Sequence, residues 1–377
     1  MSSGKVMTAI GMMAGTSLDG VDAALLRTDG ETFLEFGPAV FRPYNAQTRA
    51  SVVRATKAAL EGRNEAKDIT EAADFVTTAH IETVRELLKQ SELERGDIDV
   101  IGFHGQTILH RPPLDSSAVG RTWQIGAGAT LAYELRIDVV DQLRQRDMAH
   151  GGEGAPLAPI YHAALVQLDA PTAPVAVVNI GGVANITYVP PGGNPTELIA
   201  FDCGPGNGLI DQWVSAQTEA RIDTDGALAA AGTVDEEKVR LMALNPYLRR
   251  QPPKSLDRYD FKATLLEGLS LTDGAATLTA FTAQCLAQVP SLLPAPPQDW
   301  IICGGGRHNP TLMREIRSRV AGNVLTAEDK DWRGDMIEAE CFAYLAVRSL
   351  KGLPYSFPKT TRAPRPLSGG VLHRKPV

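Results

Sequence analysis

The chain has 377 residues, of which 44% are hydrophobic and 21% charged, a composition typical of a globular protein with two domains or one large one. The formal net charge of −7 and a pI near 5.6 argue against a general nucleic-acid-binding protein. The sequence contains no stretch of about 18 apolar residues that could span a bilayer, so we expect no membrane association.

Two apolar segments flank a glycine-rich turn near the start of the chain, in the sequence GMMAGTSLDGVDAAL. Val6–Met13 and Val21–Thr28 are predicted to be strands joined by a tight turn, because glycine, serine and aspartate supply turn geometry and local hydrogen bonds. Apolar periodicity predicts the following elements of the first half: a helical region within 60–88, a strand over 97–103 that ends at HGQT, a helix over 129–135 and a strand over 137–141.

The layout of strand, glycine turn and strand recurs at 175–189, which suggests a duplicated fold with the glycine-rich HGGEGAPLAP as the break between its halves. The proline-rich, basic tail from Lys351 is expected to wrap the surface. Further elements are predicted in the second half: a strand, turn and helix over 200–214 with the helix from about Asn207, a helix over 272–293, a strand, three glycines and a helix over 300–316, and a helix over 336–350.

Three glycine turns, at 15–20, 179–185 and 303–309, form a set that could hold phosphate. Glycine allows close approach of the backbone, turn N–H groups form anion-binding concavities, and Asn309 opens a helix whose N-terminus is positive. The patterns GxxxxGK[ST] and GxGxxG are both absent around the first of these turns. Asp19 and Asp22 suit Mg²⁺ better than direct contact with phosphate. A purely structural role stays open for any one turn, and for at least one of these aspartates.

Six motifs spread from Gly11 to Asn309 give the chain a family resemblance: GMMAGTSLDGVD, GFHGQT, GGEGAPLAP, NIGGVANIT, FDCGPGN and CGGGRHN. Their order and spacing resemble those of the anhydro-N-acetylmuramic acid kinases, within the actin, hsp70 and sugar-kinase superfamily. The resemblance implies an α/β fold of two duplicated actin-like (ribonuclease H-like) domains with a nucleotide and substrate cleft between them. It implies one domain at 1–142 with 355–377, carrying the sugar-binding side and the first phosphate hairpin. The other, at 143–354, would carry the second hairpin and the adenosine loop.

The resemblance also implies the reaction. Water would open the 1,6-anhydro bridge of 1,6-anhydro-N-acetylmuramic acid and ATP would phosphorylate O6, giving N-acetylmuramic acid 6-phosphate and ADP in the recycling of cell-wall peptidoglycan. Water attack at an anomeric carbon needs a carboxylate base, and the family's catalytic aspartate falls on Asp202. From the residues alone, Asp202 could instead cap a turn.

The resemblance assigns the other site residues by motif. Those implied for ATP and its phosphates are Gly15, Thr16, Ser17, Asp19, Gly20, Asn179, Gly181, Gly182, Asn185, Gly304, Gly305, Gly306 and Asn309, with Asp19 also expected to bind Mg²⁺ through water. Those implied for the sugar are His104, Gln106, Arg144, Gly204, Gly206, Asn207 and Glu338. From the residues alone, a structural role stays open for His104, a solvated helix face for Glu338, and Arg146 is an equal candidate for binding the lactyl carboxylate.

Four positions depart from the family pattern: Gln142 stands where an aspartate is usual, Glu153 for glutamine, Cys203 for threonine, and Arg307 for a small residue. Arg307 could stack on adenine or point to solvent. Because none of these departures touches Asp202 or the GTSLDG turn, we expect an active enzyme.

The expected cofactors are ATP and Mg²⁺, and the expected partner is a small amino sugar, with a homodimer left open. The four cysteines form no CxxC pair and, with seven scattered histidines, no zinc pattern, so free thiols in a reducing cytoplasm are expected. Three other functions are weighed: a related kinase for another small hydroxylated substrate, a nucleotide-dependent conformational switch, and a Rossmann dehydrogenase.

Overall fold

A computed structural model describes residues 4–113, 120–256, 261 and 263–376. The strands are β1 Met7–Ala14, β2 Gly20–Thr28, β3 Leu34–Pro43, β4 Val100–Arg111, β5 Arg121–Ile125, β6 Val139–Asp141, β7 Val175–Ile180, β8 Ala184–Val189, β9 Ile199–Gly204, β10 Asp299–Cys303, β11 Asn323–Thr326 and β12 Val371–His373. The helices are α1 Ala46–Leu60, α2 Lys67–Ser91, α3 Gly128–Leu135, α4 Gln145–Ala149, α5 Pro159–Gln167, α6 Gly208–Ser215, α7 Ala227–Ala231, α8 Glu236–Met242, α9 Pro246–Arg249, α10 Leu271–Gln288, α11 Pro310–Arg319, α12 Ile337–Leu350 and α13 Pro358–Thr361.

The chain forms two compact units, one of Met1–Leu168 with Met336–Val377 and the other of Asp169–Asp335. The first unit contains a mixed sheet in the order β12-β6-β4-β1-β2-β3, with β5 paired to β4. Its core lies between this sheet and helices α2 and α3. The second unit contains the sheet β11-β10-β7-β8-β9, whose core is built around the fully buried Trp300.

The two sheets repeat one topology. In the first unit β6, β4 and β1 are parallel neighbours, and β2 and β3 follow antiparallel. In the second unit β11, β10 and β7 are parallel neighbours, and β8 and β9 follow antiparallel. Because five strands agree in order and direction, the predicted α/β class and the predicted duplication are confirmed.

Helix α12 belongs to the first unit because it packs closely on the sheet of that unit. Gly11 and Gly102 are partners in the β1–β4 register, and an added Cβ at either would collide with the α12 backbone, at Ala339 O and Phe342 O. The unit boundaries therefore differ from the expected domain boundaries. Residues 143–168 and 336–354, expected in the C-terminal domain, lie in the first unit.

Several elements differ in extent from the sequence expectation. The strand expected to end at HGQT continues to Arg111, because β5 pairs with Gln106–Arg111. The helical region expected within 60–88 starts beyond Leu60, as α2 at Lys67, after a separate α1. The C-terminal tail adds a strand, since β12 pairs antiparallel with β6. In the described residues, no helix is long and apolar enough to cross a membrane.

Candidate active site

The glycine turn between β1 and β2 is tied together by the side chain of Asp19. Its Oδ1 accepts hydrogen bonds from Ser17 Oγ at 2.8 Å and from the Gly20 N–H at 3.0 Å. Thr16, Ser17 and Asp19 are exposed, and Leu18 has a φ of +57°. Asp19 thus organises the turn, as the structural interpretation expects, while its exposed carboxylate stays accessible. Asp22 lies within β2, paired with Met13, and is not a turn residue.

Gln106 stabilises this turn through hydrogen bonds of its buried side chain. Its side chain is fully buried, and Nε2 donates to Gly15 O at 3.0 Å. The Tyr44 hydroxyl donates to Gln106 Oε1 at 3.3 Å, and the Tyr44 N–H donates to Asp19 O at 2.8 Å. The amide of Gln106 is therefore engaged inside the protein at both ends. Sequence reasoning missed Tyr44, a lone tyrosine that no motif marks.

His104 has both ring nitrogens engaged within the protein. Nδ1 lies 2.8 Å from Gly105 O and must carry the proton, because a carbonyl only accepts. Nε2 then accepts from Arg144 Nε at 3.1 Å. Burial and the positive charge of Arg144 lower the pKa of His104, which keeps the ring neutral. His104 is thus a fixed hydrogen-bond partner of Arg144.

Within the first unit, Glu338 lies near enough to Arg144 and to Asp19 to interact with both of their charges. Arg144 Nη1 also donates to Gly154 O at 2.9 Å, so two of its nitrogens are held by the protein. Glu338 is accessible to solvent, but the protein packed around it raises its pKa; Arg144 opposes that shift and Asp19 adds to it. An accessible carboxylate beside a fixed guanidinium is suited to gripping polar groups of a ligand. The alternative arginine, Arg146, is exposed on α4.

Two glycine turns of the second unit pack on each other. The Asn207 N–H donates to Gly181 O at 2.8 Å, and the Gly208 N–H donates to Gly182 O at 2.9 Å. Gly206 has a φ of +53°, and an added Cβ would lie 2.5 Å from Gly181 O. Glycine is required there, because a side chain would be both strained and obstructed. The FDCGPGN turn therefore holds the NIGGVAN turn in place.

The CGGGRHN turn also packs against the end of β7. A Cβ on Gly304 would collide with Asn179 Oδ1, and one on Gly306 would lie 2.5 Å from Ile180 Cγ2. By contrast, Gly182 and Gly305 are exposed, and a Cβ on either would meet only open space. The structure thus brings the three glycine turns of this unit together, with exposed backbone at two of them. Such backbone fits the phosphates of a nucleotide.

Arg307 points inward, so both interpretations of its side chain, stacking on adenine or pointing to solvent, are wrong. Its side chain is 2% exposed and pairs with Glu328 at 2.9 Å and with Asp335 at 2.8 Å. Nη1 donates to Gly304 O at 2.9 Å. The two ion pairs hold the guanidinium inside the unit, where its hydrogen bond to Gly304 O stabilises the glycine turn. Sequence reasoning had no signal for these distant partners.

Asn309 caps helix α11 with its side chain, because Oδ1 accepts from the Leu312 N–H at 2.9 Å. Asn185 pairs with Asp202 across β8 and β9, next to an irregularity in the strand register. Gly204 packs against Cys285, where an added Cβ would lie 2.7 Å from the Cys285 Cβ. Asn309, Asn185 and Gly204 therefore each have a structural role next to the turns.

Asp202 lies near the end of β9 and is only half-buried. Its Oδ2 accepts from the Leu256 N–H at 2.8 Å, and its own N–H donates to Lys254 O at 3.0 Å. The Tyr247 hydroxyl donates to Asp202 O at 2.8 Å. Asp202 is thus a half-buried carboxylate whose Oδ2 is held by a backbone N–H, and such a carboxylate can act as a general base. No sequence pattern indicates the contacts with Tyr247 and Lys254.

The donor set fits a magnesium site with few protein ligands. In the described residues, no group of three His, Cys, Asp or Glu side chains could hold a metal ion. Asp19 supplies one exposed carboxylate, which suits Mg²⁺ because this ion keeps several waters and is commonly bound through one or two carboxylates and substrate phosphates. The four cysteines, as expected, are free, and all are buried.

Comparison with known proteins places the chain in a family. The family described as anhydro-N-acetylmuramic acid kinase matches residues 7–375. Two relatives with that name, from Rhizorhabdus wittichii and Azorhizobium caulinodans, are each 50% identical to the chain; the alignments cover 98% and 97% of it and 99% of each relative. A solved activator of 2-hydroxyisocaproyl-CoA dehydratase from Clostridium difficile is 13% identical with a TM-score of 0.47, covering 92% of this chain and 96% of the activator, and supports no conclusion. By the family match and these relatives, the chain belongs to the anhydro-N-acetylmuramic acid kinase family.

Proposed function

We propose that this chain uses ATP to convert 1,6-anhydro-N-acetylmuramic acid into N-acetylmuramic acid 6-phosphate and ADP. Water adds to the anomeric carbon, the bond from that carbon to O6 breaks, and O6 takes the γ-phosphoryl group. The proposal is supported by the family and by the names of its relatives. The reaction requires a general base that deprotonates water, side chains that bind the sugar, and backbone groups that bind the phosphates.

Asp202 is the proposed base, and its position is the observation that carries the proposal. It is a half-buried carboxylate on β9. The turn that follows β9, the end of FDCGPGN, packs on the NIGGVAN turn. The Leu256 N–H holds one of its oxygens at 2.8 Å. Proton abstraction by Asp202 would turn the attacking water into hydroxide as the bond to O6 breaks, as in inverting glycosidases.

Arg144 and Glu338 are proposed to grip the sugar. The guanidinium of Arg144 suits the lactyl carboxylate, since arginine binds carboxylates through paired hydrogen bonds. Glu338 suits sugar hydroxyls, as an accessible acceptor. His104 and Gln106 are proposed to act indirectly, because their polar atoms already bind Arg144 and Gly15. Gly204, Gly206 and Asn207 are proposed to shape the sugar-binding turn.

The glycine turns are proposed to bind ATP. The first unit offers Gly15, Thr16, Ser17 and Gly20 for this role. The second unit offers Asn179, Gly181, Gly182, Asn185, Gly304, Gly305, Gly306 and Asn309. Mg²⁺, when bound near Asp19, would neutralise charge on the transferring phosphate. A cytoplasmic location is proposed from the four free cysteines, which suit a reducing compartment.

The test supplies the chain with ATP, Mg²⁺ and one of three sugars: the anhydro acid, its uncharged counterpart 1,6-anhydro-N-acetylglucosamine, or glucose. ADP release and sugar phosphate are measured together. The proposal predicts that the anhydro acid gives the highest kcat/KM and a 6-phosphate product. No ADP release above background with the anhydro acid would contradict the proposal, and faster turnover of glucose would favour a related kinase with another substrate.

A further inference from the structure

A buried lysine lies next to the proposed base. Lys254 is 2% exposed, and its Nζ donates to Tyr247 O at 2.9 Å and to Leu248 O at 3.2 Å. Nζ also lies 4.7 Å from the centre of the Tyr247 ring and 5.3 Å from that of Phe201. Carbonyl oxygens and aromatic faces thus surround the ammonium group, and both stabilise a cation.

A buried ammonium group is costly to keep in a fold. Burial lowers the pKa of Lys254 to about 8. In the described residues, no carboxylate oxygen lies within ion-pair distance of Lys254 Nζ; its charged neighbours at longer range are Asp202, which favours the cation, and Arg250, which disfavours it. A methionine of similar length would avoid that cost, so core packing alone does not explain a lysine here.

The segment that Lys254 anchors also holds Asp202. Lys254 O accepts from the Asp202 N–H at 3.0 Å, and two residues later the Leu256 N–H donates to Asp202 Oδ2 at 2.8 Å. Tyr247, whose carbonyl binds Nζ, donates its hydroxyl to Asp202 O at 2.8 Å. The ammonium group therefore joins helix α9 to the Lys254–Leu256 segment, whose Leu256 N–H group orients the carboxylate.

We infer that Lys254 is a positioning residue, which fixes the Asp202 carboxylate by tying the Lys254–Leu256 segment to α9 and which places a positive charge near it. The inference rests on the proposed role of Asp202 as base. The fixed segment keeps the Leu256 N–H on Oδ2, which sets the plane of the carboxylate. The nearby cation favours the ionised form of Asp202, the form that can accept a proton from water.

The test is a double-mutant cycle between Lys254→Met and Asp202→Asn, because such a cycle measures whether two residues act together. Lys254→Met should lower kcat with the anhydro acid at least about tenfold, while leaving the Kd for ATP within about twofold. In the Asp202→Asn background, the same change should lower kcat less than about twofold. Lys254→Arg, which keeps the charge, should recover part of the loss.

Lys330→Met is the matched control, because Lys330 lies in the same unit and pairs with Asp169 at 2.8 Å. It should leave kcat unchanged. If Lys254→Met fails to fold, Tyr247→Phe removes the hydrogen bond to Asp202 O and keeps the ring, and its loss of kcat should couple to Asp202 in the same way. If Lys254→Met lowers kcat by the same factor in the unchanged protein and in Asp202→Asn, the inference about Lys254 is overturned, while the proposed role of Asp202 as base stands. Near-normal turnover of Asp202→Asn would overturn the proposed base, and the inference with it.

Discussion

Asp202 differs from an ordinary turn aspartate in what surrounds it. A capping aspartate uses its side chain to satisfy the N–H groups of its own turn, as Asp19 does with Gly20. Asp202 instead accepts from Leu256, 54 residues away in the chain. The sequence alone left both interpretations of Asp202 open, because no local pattern could indicate a partner so distant.

Replacing Asp202 with asparagine should lower turnover of the anhydro acid at least about a hundredfold, because the amide cannot accept the proton of water. The amide oxygen can still accept from the Leu256 N–H, so the fold and ATP binding should persist. Steady-state kinetics and calorimetric titration with ATP would check this. Turnover within a few-fold of the unchanged protein would show that another residue is the base.

Replacing Arg144 with lysine should weaken recognition of the acidic sugar. Lysine lacks the planar fork that lets Arg144 bind His104 Nε2 and Gly154 O at the same time. We expect KM for the anhydro acid to rise at least about tenfold, which corresponds to about 1.4 kcal/mol, and its preference over the uncharged counterpart to fall, because lysine cannot bind the lactyl carboxylate through two parallel hydrogen bonds. Arg146→Lys, on the exposed α4 position, is the control. If Arg144→Lys kept the preference for the anhydro acid over its uncharged counterpart, Arg144 would not be the residue that binds the lactyl carboxylate.

At the scale of elements, the glycine turns could be predicted but their packing could not. Glycine clusters at strand ends indicate tight turns, and the structure places turns at each of them. The sequence does not show that Gly206 touches Gly181 or that Gly304 touches Asn179, because these contacts depend on how β7, β9 and β10 are aligned. Arg307 illustrates the same limit, since Glu328 and Asp335 become its partners only in the folded unit.

Replacing Gly206 with alanine should disturb two turns together. The added Cβ would lie 2.5 Å from Gly181 O on a backbone with a φ of +53°. We expect a loss of about 2–5 kcal/mol in the free energy of unfolding, the sum of backbone strain and overpacking, and weaker ATP binding because the NIGGVAN turn is displaced. Urea unfolding and ATP titration would measure both.

The control is Gly62→Ala, which has a φ of +76° but meets nothing within 4 Å. It isolates the cost of the backbone conformation, about 1–2 kcal/mol, and should leave ATP binding unchanged. If Gly206→Ala were no worse than this control in stability and binding, close packing of the two turns would not matter.

At the scale of the whole molecule, the repeated sheets were predictable and the unit boundaries were not. The repeated hairpin pattern indicated duplication, and five matching strands confirm it. Helix α12 lies late in the chain, so its sequence position suggested the second half. Its packing on Gly11 and Gly102 instead makes it part of the first unit, a contact between residues more than 200 positions apart.

Buried histidines should make the protein less stable in mild acid. Burial lowers the pKa of His80 to about 4, against an ordinary value of 6.5. Unfolding therefore takes up a proton between pH 6.5 and 4, so the free energy of unfolding falls as pH falls through this range. His110 and His162 are shifted in the same direction for the same main reason.

The His80→Asn variant isolates this effect, because asparagine does not titrate and can still donate to Val76 O, as His80 Nδ1 does at 2.7 Å. Between pH 7 and 5, the unchanged protein should lose about 2 kcal/mol of stability relative to this variant. Urea unfolding at both pH values measures the difference. A difference that stays constant with pH would mean that His80 has the same pKa in the folded protein as in the unfolded chain.

The most direct measurement for the proposed function follows the oxygen of water through the reaction. The protein is incubated with ATP, Mg²⁺ and 1,6-anhydro-N-acetylmuramic acid in ¹⁸O water, and the product is examined early by mass spectrometry and ³¹P NMR. Unlabelled N-acetylmuramic acid 6-phosphate in the same water corrects for spontaneous exchange. The proposed function predicts one ¹⁸O at the anomeric hydroxyl and none on the phosphate. Label on the phosphate, or a 6-phosphate without anomeric label, would contradict it.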